Sequence, residues 1–281
     1  MMVKTSGAKA AMWDVVPGVV KKQKPLEVIV PQADVLFLCV NSWHIRSAAA
    51  MLAPYLHQKT IIVSPSKGIE ANTCMTVDAL LADAFPKGQP IALLSGPMLA
   101  HELAEGGFGA AVVATKKSKD FTTIAALFKK SRLRLEYAQD LRAVALAGVL
   151  KNTYALMLGI ADALDVGQNA KGYLASAAAE ELARVIRTLH ITGDAFHALF
   201  GPAGLGDLIA TGFSAQSTNV SLGRDLVAGN AITRMSEGFA SLPPLMELLG
   251  KHTAHFPILS AVANVALKKK DAKKVFGALL Q

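Results

Sequence analysis

Cysteine is nearly absent from the chain: there are two in 281 residues, Cys39 and Cys74. Two cysteines so placed make no disulfide framework and no metal-ligand spacing, which leads to the expectation of a reducing, cytoplasmic setting and no metal site. Charge is scarce too, with Asp, Glu, Lys and Arg at 18% against 52% hydrophobic residues and a mean hydropathy of +0.36. A chain this apolar has ample surface to bury, so disorder as its main state is excluded. It nevertheless lacks a long uninterrupted apolar run. The best candidate, from Ala143 to Leu164, is broken by Lys151, Asn152 and Asp162, so it reads as a buried helix and not as a membrane span. No apolar segment of the secretory-leader kind precedes Asp14, and the closing Ala278-Leu279-Leu280-Gln281 matches no address motif. Aromatic residues, at 6%, do not interleave with the basic runs at Lys116 to Lys119, Lys129 to Arg134 and Lys268 to Lys274. Those runs read as solvated helix faces, and no nucleic-acid or membrane partner is expected.

The net charge of +8 does suit an anionic partner, whether a phosphorylated metabolite or a nucleotide. From about residue 27 short aliphatic runs alternate with helical patterns, the signature of βαβ units and a parallel sheet. Strands are expected at Val35 to Val40, Thr60 to Ser64, Ile91 to Leu94, Ala110 to Ala114 and Leu133 to Tyr137. Helices are expected at Ser42 to Leu56, Thr73 to Phe85 and Phe121 to Lys130, with another starting near Met98. Beyond Gln139 only helical stretches follow, rich in Ala and Leu. The expected architecture is therefore an α/β domain over residues 1–138, doubly wound and Rossmann-like but incomplete, followed by an all-α domain over residues 139–281. In such an arrangement the ligand crevice lies at the carboxyl ends of the strands, facing the helical domain.

The unusual residues fall where that crevice should be. Ser66-Lys67-Gly68 follows the second strand, and a Lys on a tight turn there can polarise a carbonyl or neutralise a phosphate, unless it is merely solvated. Ser95-Gly96-Pro97 follows the third strand, where a glycine lets backbone approach a ligand. In Leu150-Lys151-Asn152 a cation sits inside an apolar helix, so Lys151 either reaches an exposed edge or is paired in a cleft. A desolvated Lys gives up its proton near neutral pH. Gly201-Pro202-Ala203-Gly204-Leu205-Gly206-Asp207 offers a carboxylate, which could pair with Lys151 or simply favour a helix N-terminus. Thr211, Ser217, Thr218, Asn219 and Glu237-Gly238 add polar groups further on.

Taken in order, Ser66-Lys67-Gly68, Ser95-Gly96-Pro97, Leu150-Lys151-Asn152 and Ala203-Gly204-Leu205-Gly206-Asp207-Leu208, with Asn219 and Glu237-Gly238 behind them, resemble the bacterial-type NAD(P)-dependent glycerol-3-phosphate dehydrogenase family. The resemblance implies hydride transfer between NAD or NADP and carbon 2 of glycerol 3-phosphate or dihydroxyacetone phosphate. It implies that Lys151, Asp207 and Lys67 are catalytic, with Lys151 exchanging the proton at the C2 oxygen and Asp207 holding it. It places Lys67, Gly96, Lys151, Asn152, Asp207, Thr211, Ser217, Thr218 and Asn219 along the substrate, and Lys67, Ala100, Asn219 and Glu237 along the cofactor. A small phosphorylated substrate and a homodimer are the partners that follow.

The chain departs from that pattern in three places. It contains no Gly-x-Gly-x-x-Gly, the loop that seats a pyrophosphate on a helix N-terminus, and roughly the first forty residues of the family pattern have no counterpart. Met98 stands where the family has Ser or Thr, and Thr218 where it has an Arg. Loss of a charge-assisted phosphate contact of about 1.5–3 kcal/mol would weaken binding about ten- to a hundredfold. Arg224, about two helical turns on, is the candidate replacement. Two other readings stay open: a catalytically impaired fragment or pseudoenzyme of the family, and a related dehydrogenase acting on another hydroxy or keto acid.

Overall fold

Residues 7–189, 191 and 195–281 are described by a computed structural model of the chain. An irregular segment leads into a one-turn helix, α1 (Leu26–Ile29), and then into the alternating half. There β1 (Val35–Phe37) is followed by α2 (Ile45–Leu52), β2 (Ile61–Ser64) by α3 (Val77–Ala84) and β3 (Ile91–Ser95) by α4 (Ala100–Ala104). Next come β4 (Gly109–Thr115), α5 (Ser118–Ala126) and β5 (Leu133–Ala138). The helical half comprises α6 (Leu141–Ala163), α7 (Gly167–Thr188), α8 (Ala195–Phe200), α9 (Asp207–Gly212), α10 (Thr218–Ala228), α11 (Glu237–Leu249), α12 (Pro257–Ala266) and α13 (Ala272–Leu279).

The five strands lie in sequence order, β1-β2-β3-β4-β5. All neighbouring pairs are parallel except β3 and β4, which run antiparallel with Ser95 opposite Val112. The expected parallel sheet is therefore parallel-dominated, with one antiparallel pair. A parallel return needs a crossover of a dozen or more residues that packs a helix on the sheet. The link from Gly96 to Phe108 contains only the five-residue α4, so it doubles back instead. The helix expected near Met98 begins two residues later, because Met98 packs into the apolar layer beneath α5 and holds Pro97–Met98 outside the helix.

Period-two alternation divides the strand side chains between two layers. Ile62, Leu93, Val112 and Ala114 pack with α2, α3 and the start of α6, while Ile61, Val63, Ala92, Ala111 and Val113 pack with Ile124 and Phe128 around α5. Helix α6 then leaves the sheet and runs through the centre of the helical half, touching α7, α9, α10, α11 and α12. By length and composition it could cross a membrane, but its most apolar window is wholly buried within the protein. A helix buried on all sides must be apolar on all sides. Lys151, Asn152 and Thr153 are the exceptions, at 5%, 4% and 0% exposure.

The contact of α6 with α10 is backbone to backbone. A Cβ at Gly159 would lie 2.2 Å from Val220 O, and one at Gly223 would lie 2.3 Å from Leu156 O. Gly159→Ala should therefore push the helices apart at a cost of about 1–3 kcal/mol or more. Urea unfolding with an unchanged midpoint would show that the helices can separate without penalty.

Candidate active site

A cavity of about 340 Å³ opens at the carboxyl ends of β1 and β2, between Val40, Pro65 and Ser66 on the sheet side and Lys151, Asn152 and Glu237 on the helical side. Lys67 projects into it from the loop after β2. Its stem lies against Gly148 of α6, where a Cβ would approach Lys67 Cγ to 3.1 Å. Lys151 is three residues further along the same helix, so both ammonium groups come to one side of α6.

Asp207 joins them. The π-helical turn Pro202–Gly206 precedes it, and Gly204 presses so closely on α8 that a Cβ would sit 2.2 Å from Leu199 O. That turn delivers the first residue of α9 to the α6 surface, where Asp207 is 2% exposed. Its Oδ2 accepts from Lys67 Nζ at 2.7 Å and its Oδ1 lies 3.2 Å from Lys151 Nζ. Lys151 Nζ also donates to Thr211 Oγ1 at 2.9 Å, and Thr211, one turn along α9, donates to Asp207 Oδ1 at 3.1 Å. Lys67 Nζ reaches Gly96 O at 3.4 Å.

These contacts set the protonation states. Burial, opposed by the attraction of Asp207 and aided by the Lys67 charge, brings the Lys151 ammonium down from 10.5 to about 8. Burial pushes the Asp207 carboxyl up, but the two ammonium groups outweigh it and hold Asp207 ionised, below its ordinary range. Glu237 is raised by burial and restrained by its bonds to Ser42.

The expected site residues do not all meet. Lys67, Gly96, Lys151, Asn152, Asp207, Thr211, Asn219 and Glu237 form one connected cluster. Within it Asn152 Nδ2 donates to Lys67 O (3.2 Å), Asn219 Nδ2 to Asn152 Oδ1 (3.0 Å) and Gly238 N to Asn219 Oδ1 (3.0 Å). Gly96 owes its identity to packing as well, since a Cβ there would sit 2.3 Å from Ala110 O. Ser217 caps α10 by accepting from Val220 N at 3.3 Å, and Thr218 is the first residue of that helix. Ala100 is exposed at the start of α4 and does not line the cavity. Arg224 places its Nε on Asp162 Oδ2 at 2.6 Å, beside Lys171, and does not line the cavity. Met98 likewise points to the α5 layer. Sequence reasoning missed Ser42, which donates to both oxygens of Glu237. Its place just past the first strand was the available signal.

Comparison with known proteins decides the family. The model of the NAD-dependent glycerol-3-phosphate dehydrogenase N-terminus matches residues 9–121, and that of the C-terminus matches residues 140–277. A glycerol-3-phosphate dehydrogenase [NAD(P)+] of Salinibacter ruber is 31% identical over 275 residues, covering 94% of this chain and 80% of its own. The chain belongs to the NAD-dependent glycerol-3-phosphate dehydrogenase family. A relative of the same name from Mycobacterium tuberculosis is 30% identical over 88% of this chain and 74% of its own. The crystal structure of glycerol-3-phosphate dehydrogenase from Coxiella burnetii superposes with a TM-score of 0.81 at 26% identity, covering 92% of this chain and 80% of that one.

The cofactor of this glycerol-3-phosphate dehydrogenase family is NAD or NADP. The described residues fit its reactive end. The cavity lies at strand carboxyl ends beside two lysines, with Val40 and Pro65 as apolar walls for a flat ring. The turn after β1 offers no seat for the pyrophosphate. The turn after β1, Leu38 to Asn41, carries no glycine, and the backbone N–H of Ser42 at the following helical turn is already taken by Glu237 at 2.8 Å. The cavity itself is near the lower end of the range of about 300–1,000 Å³ for small-molecule sites.

Proposed function

We propose that this chain interconverts sn-glycerol 3-phosphate and dihydroxyacetone phosphate as an NAD(P)-dependent dehydrogenase, with residues 1–138 as the nucleotide half and 139–281 as the substrate half. The observation that carries the reading is the buried Lys67–Asp207–Lys151 triad, in which a cation with its pKa brought to about 8 faces the cavity. The nicotinamide, when bound, supplies or accepts the hydride at carbon 2. Lys151 protonates the C2 oxygen in reduction and takes the proton back in oxidation. Thr211 and Asp207 keep its ammonium aimed, since each holds it from α9. Lys67 adds a second positive charge for the anionic substrate, and the phosphate end faces the start of α10, where Ser217, Thr218 and Asn219 lie. Asn152 and Asn219 hold the loop and helices around it. The setting we propose is cytoplasmic, in keeping with free Cys39 and Cys74, and the partner is the small phosphorylated substrate with a second copy of the chain at most.

The pH dependence tests this reading. The reductive kcat/KM should be level below pH 8 and fall above it, because the reaction consumes the protonated Lys151. The oxidative kcat/KM should rise with pH and level off above about 8, because it starts from the neutral amine. Profiles for the two directions that do not mirror each other about this point would remove Lys151 from the proton transfer. Faster turnover of an unphosphorylated keto acid than of dihydroxyacetone phosphate would change the substrate class.

A further inference from the structure

Ser42 and Glu237 come from opposite halves of the molecule. Ser42 opens the helical turn after β1, and Glu237 is the first residue of α11. Ser42 N donates to Glu237 Oε1 at 2.8 Å, and Ser42 Oγ donates to Oε2 at 2.6 Å. Gly68 passes directly beneath this double bond. A Cβ there would come within 2.1 Å of Ser42 Oγ and 2.4 Å of Glu237 Oε2. The residues on either side of Gly68 are held by the helical half as well. Lys67 O accepts from Asn152 Nδ2, and Ile69 N donates to Ser241 Oγ at 3.2 Å. Lys67 and Ile69 are thus bonded to α6 and α11 with Gly68 packed between them, and the Lys67 ammonium at the end of this loop is held by Asp207 and Gly96.

Glu237 is also the carboxylate that lines the cavity beside the two lysines. Lys151 is faced by Asp207 and Thr211 from α9, by Lys67 from the loop after β2 and by Glu237 from α11. Glu237 in turn feels Ser42, Lys151 and Lys67. A carboxylate in this pocket has two places to go: the paired donors of Ser42, or the two ammonium groups. Both of its oxygens are at Ser42.

We propose that Ser42 is a positioning residue of this site, holding Glu237 over Gly68 so that its charge stays off the lysine pair and the Lys67 loop stays seated. The inference rests on the reading of Lys151 as the proton-transfer group. Without the hydroxyl, Oε2 loses its donor and a buried charged oxygen seeks another. Lys151 and Lys67 are the cations whose charge reaches Glu237, and a closer carboxylate would stabilise their ammonium forms. Ser42→Ala should therefore raise the Lys151 ionisation midpoint above its native value of about 8, by about 1 unit.

The test does not depend on turnover. Competitive labelling with acetic anhydride across pH, read by mass spectrometry, gives the ionisation midpoint of Lys151 in the full chain. Hydrogen exchange of the peptide spanning residues 66–70 reports the loop. Ser42→Ala is expected to move the midpoint up and to speed exchange in that peptide, while Ser42→Thr, which keeps the hydroxyl, leaves both near native. A midpoint unmoved or lowered in Ser42→Ala would overturn the proposal, as would a shift in Ser42→Thr as large as that in Ser42→Ala. If the native chain does not reduce dihydroxyacetone phosphate, the proposed activity fails on its own, and the labelling result still stands or falls by itself.

Discussion

Lys151→Ala should lower kcat in both directions by about 10²–10⁴, the usual contribution of a positioned acid–base group. The fold should survive the change, because Asp207 keeps Lys67 at 2.7 Å and its bond from Thr211. Truncating a buried lysine stem does leave a cavity, so some loss of stability is expected, of the size seen for large-to-small changes in cores, about 2–5 kcal/mol. Steady-state rates and a thermal melt on the same preparation separate the two effects. Native rates in a folded Lys151→Ala protein would contradict the proton-transfer role.

The second large effect is expected from Asp207→Ala. Asp207 is the shared counter-charge of Lys67 and Lys151, and its removal leaves two ammonium groups facing each other in a buried site. Breaking a buried pair by removing one partner costs about 3–5 kcal/mol. The pH profile should respond as well. Attraction by Asp207 opposes the effect of burial on Lys151, so without it the midpoint should fall below about 8. The level region of the reductive profile then ends at lower pH. Urea unfolding measures the first effect and the pH–rate curve the second. A destabilised variant whose midpoint has not moved would mean that Asp207 serves the fold and does not tune Lys151.

Much of this was legible in the residues. Short runs of Ala, Val, Leu and Ile placed every strand, because a sheet covered on both faces forces near-continuous apolar runs. The direction of β4 was not legible. Strand patterns carry no direction, and that of β4 is set by the short link from Gly96 to Phe108. Lys151 could be singled out because a cation on an otherwise buried helix is costly unless paired, whereas its pairing with Asp207 depends on the turn at Pro202–Gly206, a tertiary feature. The pairing of Ser42 was not legible for the same reason, although its place just past the first strand marked the residue. Its partner is Glu237, 195 residues away, and nothing in the local sequence signals that pairing. Thr218 and Met98 show the opposite case. Both could be recognised as departures from a family pattern, but only the structure shows that Arg224 is bound to Asp162 and that Met98 has joined the apolar layer under α5.

The missing glycine loop bears most heavily on the cofactor. The reactive end has walls and lysines, while the first N–H of the helical turn after β1 is already taken by Glu237. The most direct measurement is therefore one that sees the chemical step itself. The chain is incubated with dihydroxyacetone phosphate and NADH or NADPH deuterated at the transferable position of the nicotinamide, and the product is read by mass spectrometry. The account predicts glycerol 3-phosphate carrying one deuterium at carbon 2, formed by the native chain and strongly reduced in Lys151→Ala. Unlabelled product, or none with either cofactor, would contradict it.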